Sequence, residues 1–138
     1  MIMDKVYVTS RKQEKLVSFL EMNNFIVEDL GNSVYKVTRE DELPVFLRVD
    51  DNTMYFELDL GNVSKFADKD FYFKLLDMNT EILPVSFGIN NTNPDDPRIV
   101  LLESRVTGDM NDQELFSVFD ALELAVDKAE ALFSNYIK

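Results

Sequence analysis

Apolar residues first recur at helical spacing after Ser10, where Leu16, Phe19 and Leu20 share one face. Gln13 stands three residues beyond Ser10, the spacing of a capping box, so a first helix is expected from Arg11 to Asn23. Asn23 and Asn24 tolerate left-handed backbone and favour its end. From Phe25 the period drops to two. Phe25–Asp29 and Val34–Thr38 flank Gly31-Asn32, a pair suited to a tight hairpin. Val45–Asp50 and Thr53–Leu60 flank Asp51-Asn52, and the second of these alternates Met54, Phe56, Leu58 and Leu60 with Tyr55, Glu57 and Asp59. Antiparallel pairing is expected within both pairs.

Helical spacing returns in Ser64–Asn79 through Phe66, Phe71, Leu75, Leu76 and Met78, with Asp68 and Asp70 where anions suit a helix start. A second helix is expected from Asp68 to Asn79. Val85–Ile89 and Arg98–Val106 form another strand pair across the polar loop Asn90–Pro97. From Asp112 to Lys138 neither Gly nor Pro occurs, and Asn111 is placed as a cap with Glu114 three residues on. Leu115, Val118, Phe119, Leu122, Ala125, Val126, Ala129, Leu132, Phe133, Tyr136 and Ile137 fall in one stripe, on a helix expected to be about 40 Å long. Such a stripe is broader than one packing face requires, which leaves part of it for another helix, another copy or a client. The fold class is α+β in a single domain over residues 1–138: an N-terminal helix, a mainly antiparallel sheet of about five to six strands with an intervening helix, and a long C-terminal helix. No linker, internal repeat or low-complexity block divides it.

Composition narrows the chemistry. The chain has 138 residues, 46% hydrophobic and 29% charged, with 14 Lys plus Arg against 26 Asp plus Glu for a formal charge of −12. Residues 1–39 hold six basic and five acidic side chains, so residues 40–138 hold eight and 21, a net of −13. Phosphate-backbone binding therefore lacks its usual drive, and no nucleic-acid partner is expected. The absence of Cys and His removes thiol nucleophiles, disulfides, thiolate and imidazole metal sites, and any imidazole base. No apolar run is long enough for a signal peptide or a membrane span, so a cytoplasmic location without membrane insertion is expected.

The glycines stand singly at Gly31, Gly61, Gly88 and Gly108, which writes neither a dinucleotide fingerprint nor a P-loop. Asp50-Asp51-Asn52 and Asp68-Lys69-Asp70 lack the glycine and terminal Glu of a calcium loop. Two carboxylate pairs, Glu57 with Asp59 and Asp95 with Asp96, have the atoms for acid/base or magnesium work, yet alternation places the first on a solvated face and two prolines place the second in a surface turn. Arg11, Lys12 and Lys15 sit at the helix end that disfavours cations. On the last helix Asp120, Glu123, Asp127 and Glu130 align beside the apolar stripe, where like charges at i,i+3 and i,i+4 cost about 0.2–0.5 kcal/mol per pair. Phe116 projects toward these carboxylates and is a candidate contact residue, although core packing against a sheet edge is the favoured reading for it. With Leu132, Phe133 and Tyr136 at the far end of the stripe, these residues make up the candidate partner-binding set; no catalytic residue, cofactor or metal ligand is assigned.

Leu43-Pro44-Val45-Phe46 and Leu83-Pro84-Val85-Ser86-Phe87-Gly88-Ile89, together with the long last helix, resemble the YjfI-like bacterial proteins from Leu43 onward. That resemblance implies a stress-response setting with a phage-shock-protein-A-like protein as partner, and brings no catalytic residues with it. The element order is also similar to the type III secretion chaperone-like fold, whose members are small, acidic and commonly dimeric, which implies a chaperone role and a homodimer. The hairpin around Gly31 departs from that pattern. The leading reading is a non-enzymatic module that holds a partner polypeptide or a second copy. The alternatives are a carboxylate-based, magnesium-dependent enzyme and an acidic mimic of nucleic acid.

Overall fold

The structure, a computed structural model, describes residues 13–107 and 110–137. In chain order the elements are α1 (Gln13–Met22), β1 (Phe25–Gly31), β2 (Val34–Arg39), β3 (Val45–Val49), β4 (Thr53–Gly61), α2 (Lys69–Asp77) with a 3-10 turn Met78–Glu81, β5 (Ser86–Asn90), β6 (Arg98–Val106) and α3 (Asp112–Ser134). The six strands form one antiparallel sheet in the order β1-β2-β3-β4-β6-β5. All three expected strand pairs form, with Phe25 opposite Arg39, Phe46 opposite Glu57 and Phe87 opposite Leu101. The chain divides into two compact units, Met1–Glu57 with Ser104–Ser117 and Leu58–Glu103 with Val118–Lys138. Their borders fall inside β4, β6 and α3, so no linker separates them.

In the first unit α1 lies against β1 and buries Leu16 and Leu20. The expected capping box of Ser10 and Gln13, and the side chains of Arg11, Lys12 and Lys15, lie outside the described residues. The helix ends as its asparagines imply: the Asn23 side chain donates to the Phe19 carbonyl at 2.8 Å, and Asn24 takes φ of 71°. At the following hairpin Gly31, Asn32 and Ser33 all have positive φ, and the Asp29 carboxylate accepts the Gly31 N–H at 2.8 Å while the register shifts. The same word, Asp-Leu-Gly-Asn, closes β4, where Asp59 accepts the Gly61 N–H at 2.7 Å and Gly61 has φ of 105°. The word is too short to count as an internal repeat; in both places the carboxylate satisfies a backbone donor as the strand gives way to a turn. Alternation in β4 is as expected, with Met54, Phe56 and Leu58 buried.

In the second unit Asp68 is the cap of α2 rather than part of its first turn, accepting the Phe71 N–H at 2.8 Å. The helix stops two residues earlier than Asn79 because the chain tightens into the 3-10 turn, which frees the Asn79 side chain to accept the Phe87 N–H of β5 at 2.7 Å. β5 begins at Ser86, one residue later than expected. β6 spans the expected residues.

Asn111 caps α3, accepting the Glu114 N–H at 2.9 Å, while the Glu114 carboxylate faces Arg105 at 3.8 Å. The expected continuation of α3 to Lys138 is corrected by the structure. The helix stops at Ser134, and the backbone bonds tighten from Asn135 N–H to the Leu132 carbonyl and from Tyr136 N–H to the Phe133 carbonyl, an i−3 pattern. Ile137 leaves the stripe and is exposed. From Leu115 to Leu132 every expected stripe residue is buried, so the expectation of a broad surplus along α3 is also corrected.

Replacing Asn111 by Ala is expected to lower unfolding free energy by about 1 kcal/mol, read as a lower urea midpoint at unchanged slope. Asn111→Asp should restore most of it, since a carboxylate accepts the same N–H. An Ala variant as stable as the wild type would show the cap to be dispensable.

Candidate partner-binding surface

The residues selected from the sequence fall into three settings. Phe116, in the first unit, stacks between Phe19 and Phe25, with ring centroids 5.7 and 6.0 Å away and interplanar angles of 19° and 4°. Phe25 is buried and also lies under the Arg39 guanidinium at 5.4 Å, so Phe116 is one layer of a ring stack. This is the packing role favoured for Phe116, and its candidacy as a contact residue beside the acidic row is set aside.

The acidic row lies in the second unit. Asp120, Asp127 and Glu130 are exposed and Glu123 is half-buried; Asp120 and Glu123 have polar or electrostatic partners of their own. Leu124 lies at the edge of the row and is 55% exposed, with Asp120 at i−4, Asp127 at i+3 and Lys128 at i+4; it points away from the stripe. Leu132 is buried and contributes no free surface, a further correction to the candidate set.

Phe133 and Tyr136 belong to the third setting, a ring cluster around Phe71 of α2, which is fully buried. Phe66, Tyr72, Phe133 and Tyr136 place their centroids 5.4, 5.5, 5.4 and 5.2 Å from that of Phe71, three of them edge-on. The Tyr136 hydroxyl donates to the Asp70 carboxylate at 2.5 Å, and the same carboxylate pairs with Lys74 at 3.1 Å. The Lys74 ammonium lies 5.7 Å from the Tyr136 ring centroid. The Tyr136 hydroxyl, then Lys74, hold the Asp70 carboxyl below its ordinary value. Bonding to Asp70 raises both Lys74 and the Tyr136 hydroxyl.

Sequence reasoning also missed the outer side of α2. Phe71 and Leu75 point inward, but Phe73 and Leu76 are 70% and 61% exposed. At 100° per residue Phe73 stands about 200° from Phe71, so this short helix is apolar on both sides, and that angular spread was the available signal.

The two carboxylate pairs are joined by a residue neither contains. The Arg98 Nε lies 3.2 Å from the Asp59 carboxylate, its Nη1 lies 3.1 Å from Asp96, and Asn62 donates to Asp96 at 2.8 Å. Asn62, then Arg98, lower the Asp96 carboxyl, and Asp59 raises the Arg98 guanidinium. An acid held ionised in this way is a poor proton donor, and the arrangement ties the loop before β6 to the end of β4. Among the described residues no group of three or more acidic side chains lies close enough together to hold a metal ion. No helix of the structure is long and apolar enough to cross a membrane.

Comparison with known families extends over nearly the whole chain: the CesT_Tir_1 model matches residues 9–138. The chain belongs to the CesT_Tir_1 family. This family is type III secretion chaperone-like, and the match supports the second resemblance rather than the YjfI-like one. In fold the protein is similar to a chain of the heterodimeric ExoU–SpcU complex from the type III secretion system of Pseudomonas aeruginosa. That likeness has a TM-score of 0.67 at 15% identity, over 83% of this chain and 94% of that one. It is also similar to YbjN from E. coli, with a TM-score of 0.62 at 15% identity over 91% and 96% of the two chains. No curated protein matches the chain. The α+β architecture with its long last helix is that of the type III secretion chaperones.

The Asp70–Tyr136 contact has a defined pH window. The Asp70 carboxyl lies below its ordinary 3.8, so its contribution is present above that value and lost as pH falls through the lower, folded-state one. The Tyr136 hydroxyl lies above its ordinary 10.0, so its contribution is present below 10.0 and lost as pH rises through the higher, folded-state one; Lys74 acts in the same sense. Hydrogen-exchange protection of the Tyr136 and Ile137 amides, corrected for intrinsic rates, is therefore expected to be flat between these limits and to fall outside them. A step near neutral pH would contradict the assignment.

Proposed function

We propose that this protein is a non-enzymatic, chaperone-like module that holds a segment of a partner polypeptide and pairs with a second copy of itself in the cytoplasm. The observation that carries this reading is the pair of large apolar side chains on the outer side of α2, Phe73 and Leu76, which remain exposed while the rest of the helix is anchored through Phe71 and Leu75. Fully covering a Phe or Leu side chain is worth about 1.5–3 kcal/mol, so covering both supplies a driving force for association without any polar contact. Family membership supports the same reading, because CesT_Tir_1 proteins are type III secretion chaperone-like and such chaperones are commonly dimeric. One structural neighbour comes from a complex, ExoU–SpcU, that is itself a heterodimer.

The carboxylate row of α3 adds selectivity. Leu124 has Asp120 at i−4 and Asp127 at i+3 on the side of the row and Lys128 at i+4 on the other, so a client that sets an aliphatic side chain on Leu124 and basic ones along the row meets complementary chemistry there. A contact of this kind weakens with salt, because the charges are exposed. A phage-shock-protein-A-like protein in an envelope-stress setting is one client to include, on the strength of the YjfI-like resemblance alone.

Light scattering on the eluted size-exclusion peak tests the pairing. The wild type is expected at twice its 16.0 kDa chain mass, and Phe73→Glu combined with Leu76→Glu at the single-chain mass with circular dichroism unchanged. Pull-down from the native lysate tests client holding: the wild type should retain a polypeptide whose recovery falls between low and high salt and on replacing Asp120 and Asp127 by Asn. A strict monomer that retains no protein would overturn the reading.

A further inference from the structure

The Tyr136 contact has the make-up of a recognition site as well as that of a packing contact. Its ring stands edge-on to Phe71, at an interplanar angle of 83°, from the turn that follows α3. Its hydroxyl is bound by Asp70, whose carboxylate is in turn held by Lys74 one helical turn away. Apolar packing on Phe71 alone would be served by Leu or Phe; an ionised acceptor at the rim selects a ring that carries a donor at its far end. Asp70 and the exposed Phe73 are i,i+3 neighbours on α2, so the carboxylate end of the Tyr136 contact lies beside one edge of the proposed association surface, whereas Phe71 and Leu76 lie on other sides of that helix.

We propose that Phe71, Asp70 and Lys74 form a socket for a phenol side chain, which the protein's own Tyr136 occupies until a tyrosine-bearing segment of the partner displaces it. The proposal rests on the reading of α2 as an association surface and names the side-chain class taken there. The occupant follows from the site's chemistry: an aromatic edge at the floor, an anionic acceptor for one O–H, and a cation beside the ring. Tyr136 lies past the end of the α3 helix and is half-buried, and the backbone bonds of its turn run from Asn135 to the Leu132 carbonyl and from Tyr136 and Ile137 to the Phe133 carbonyl. Opening this short turn leaves the hydrogen bonds within α2 and α3 in place. Displacement exchanges one phenol for another, so the partner gains the socket while Phe71 stays covered.

Small-molecule rescue tests the socket without the partner. In Tyr136→Ala the vacated socket is expected to take p-cresol, so that millimolar p-cresol raises the melting temperature more than toluene at the same concentration. Adding Asp70→Asn should abolish the preference, because the amide no longer offers an ionised acceptor. In the wild type, N-acetyl-tyrosinamide, but not N-acetyl-phenylalaninamide, should accelerate exchange at the Tyr136 and Ile137 amides. Tyr136→Phe, which keeps the ring and loses the hydroxyl, should accelerate the same amides by roughly fivefold or more without added ligand. Equal stabilisation of folded Tyr136→Ala by p-cresol and toluene, or by neither, would overturn the proposal. So would wild-type exchange that is unchanged at saturating N-acetyl-tyrosinamide. If Tyr136→Ala does not fold, the exchange arms on the wild type and Tyr136→Phe decide alone. None of these readouts requires a dimer or a client, so loss of partner retention and failure of the socket are separately visible.

Discussion

The long last helix has to bury one side while the other side repels itself. Asp120, Glu123, Asp127 and Glu130 crowd carboxylates at i,i+3 and i,i+4 spacing, a repulsion opposed by the helix propensity of the Ala and Leu residues between them. Burial of the opposite side adds to that opposition, where the stripe side chains from Leu115 to Leu132 are removed from water at about 0.8 kcal/mol per methylene. Because α3 passes through both compact units, the same stripe is used twice, by Leu115 in the first and by Val118 onward in the second. Asp120, Asp127 and Glu130 then face solvent, and the large apolar side chains that stay exposed on the two helices are not in the stripe but at Leu124 of α3 and at Phe73 and Leu76 of α2.

A chain of net charge −12 with no histidine and no cysteine manages its acidic groups by giving many of them backbone or cationic partners. Asp29 and Asp59 accept the glycine N–H two residues on, and Asp68 caps α2. Arg98 lies between Asp59 and Asp96, and Lys74 lies beside Asp70. These carboxylates hold turns, caps and loops in place. Membership of the CesT_Tir_1 family supports a chaperone-like protein-binding module.

Much of the fold was legible because the signals are local. The alternation of Met54, Phe56 and Leu58, the turn asparagines at Asn24 and Asn32, and the cap at Asn111 each act within a few residues, and each is found where its chemistry places it. The candidate site was legible only in part. Asp120, Asp127 and Glu130 are exposed as periodicity implies, whereas Phe116 is held in a ring stack and Leu132 is buried, because their surroundings come from α1, β1 and other distant segments. Tyr136 was placed on the stripe by its spacing, yet it sits in a turn bound to a residue 66 positions earlier.

By itself the sequence determined the class of elements, the hairpins, the caps and the absence of thiol and imidazole chemistry, since propensity, capping and composition depend on neighbours along the chain. Tertiary structure alone decided that β6 inserts between β4 and β5, that Arg98 joins two separated carboxylates, and which side of α2 is left uncovered. Those outcomes depend on which remote surfaces meet, and a pattern of period two or 3.6 specifies that a side chain has an inside without specifying what it is inside of.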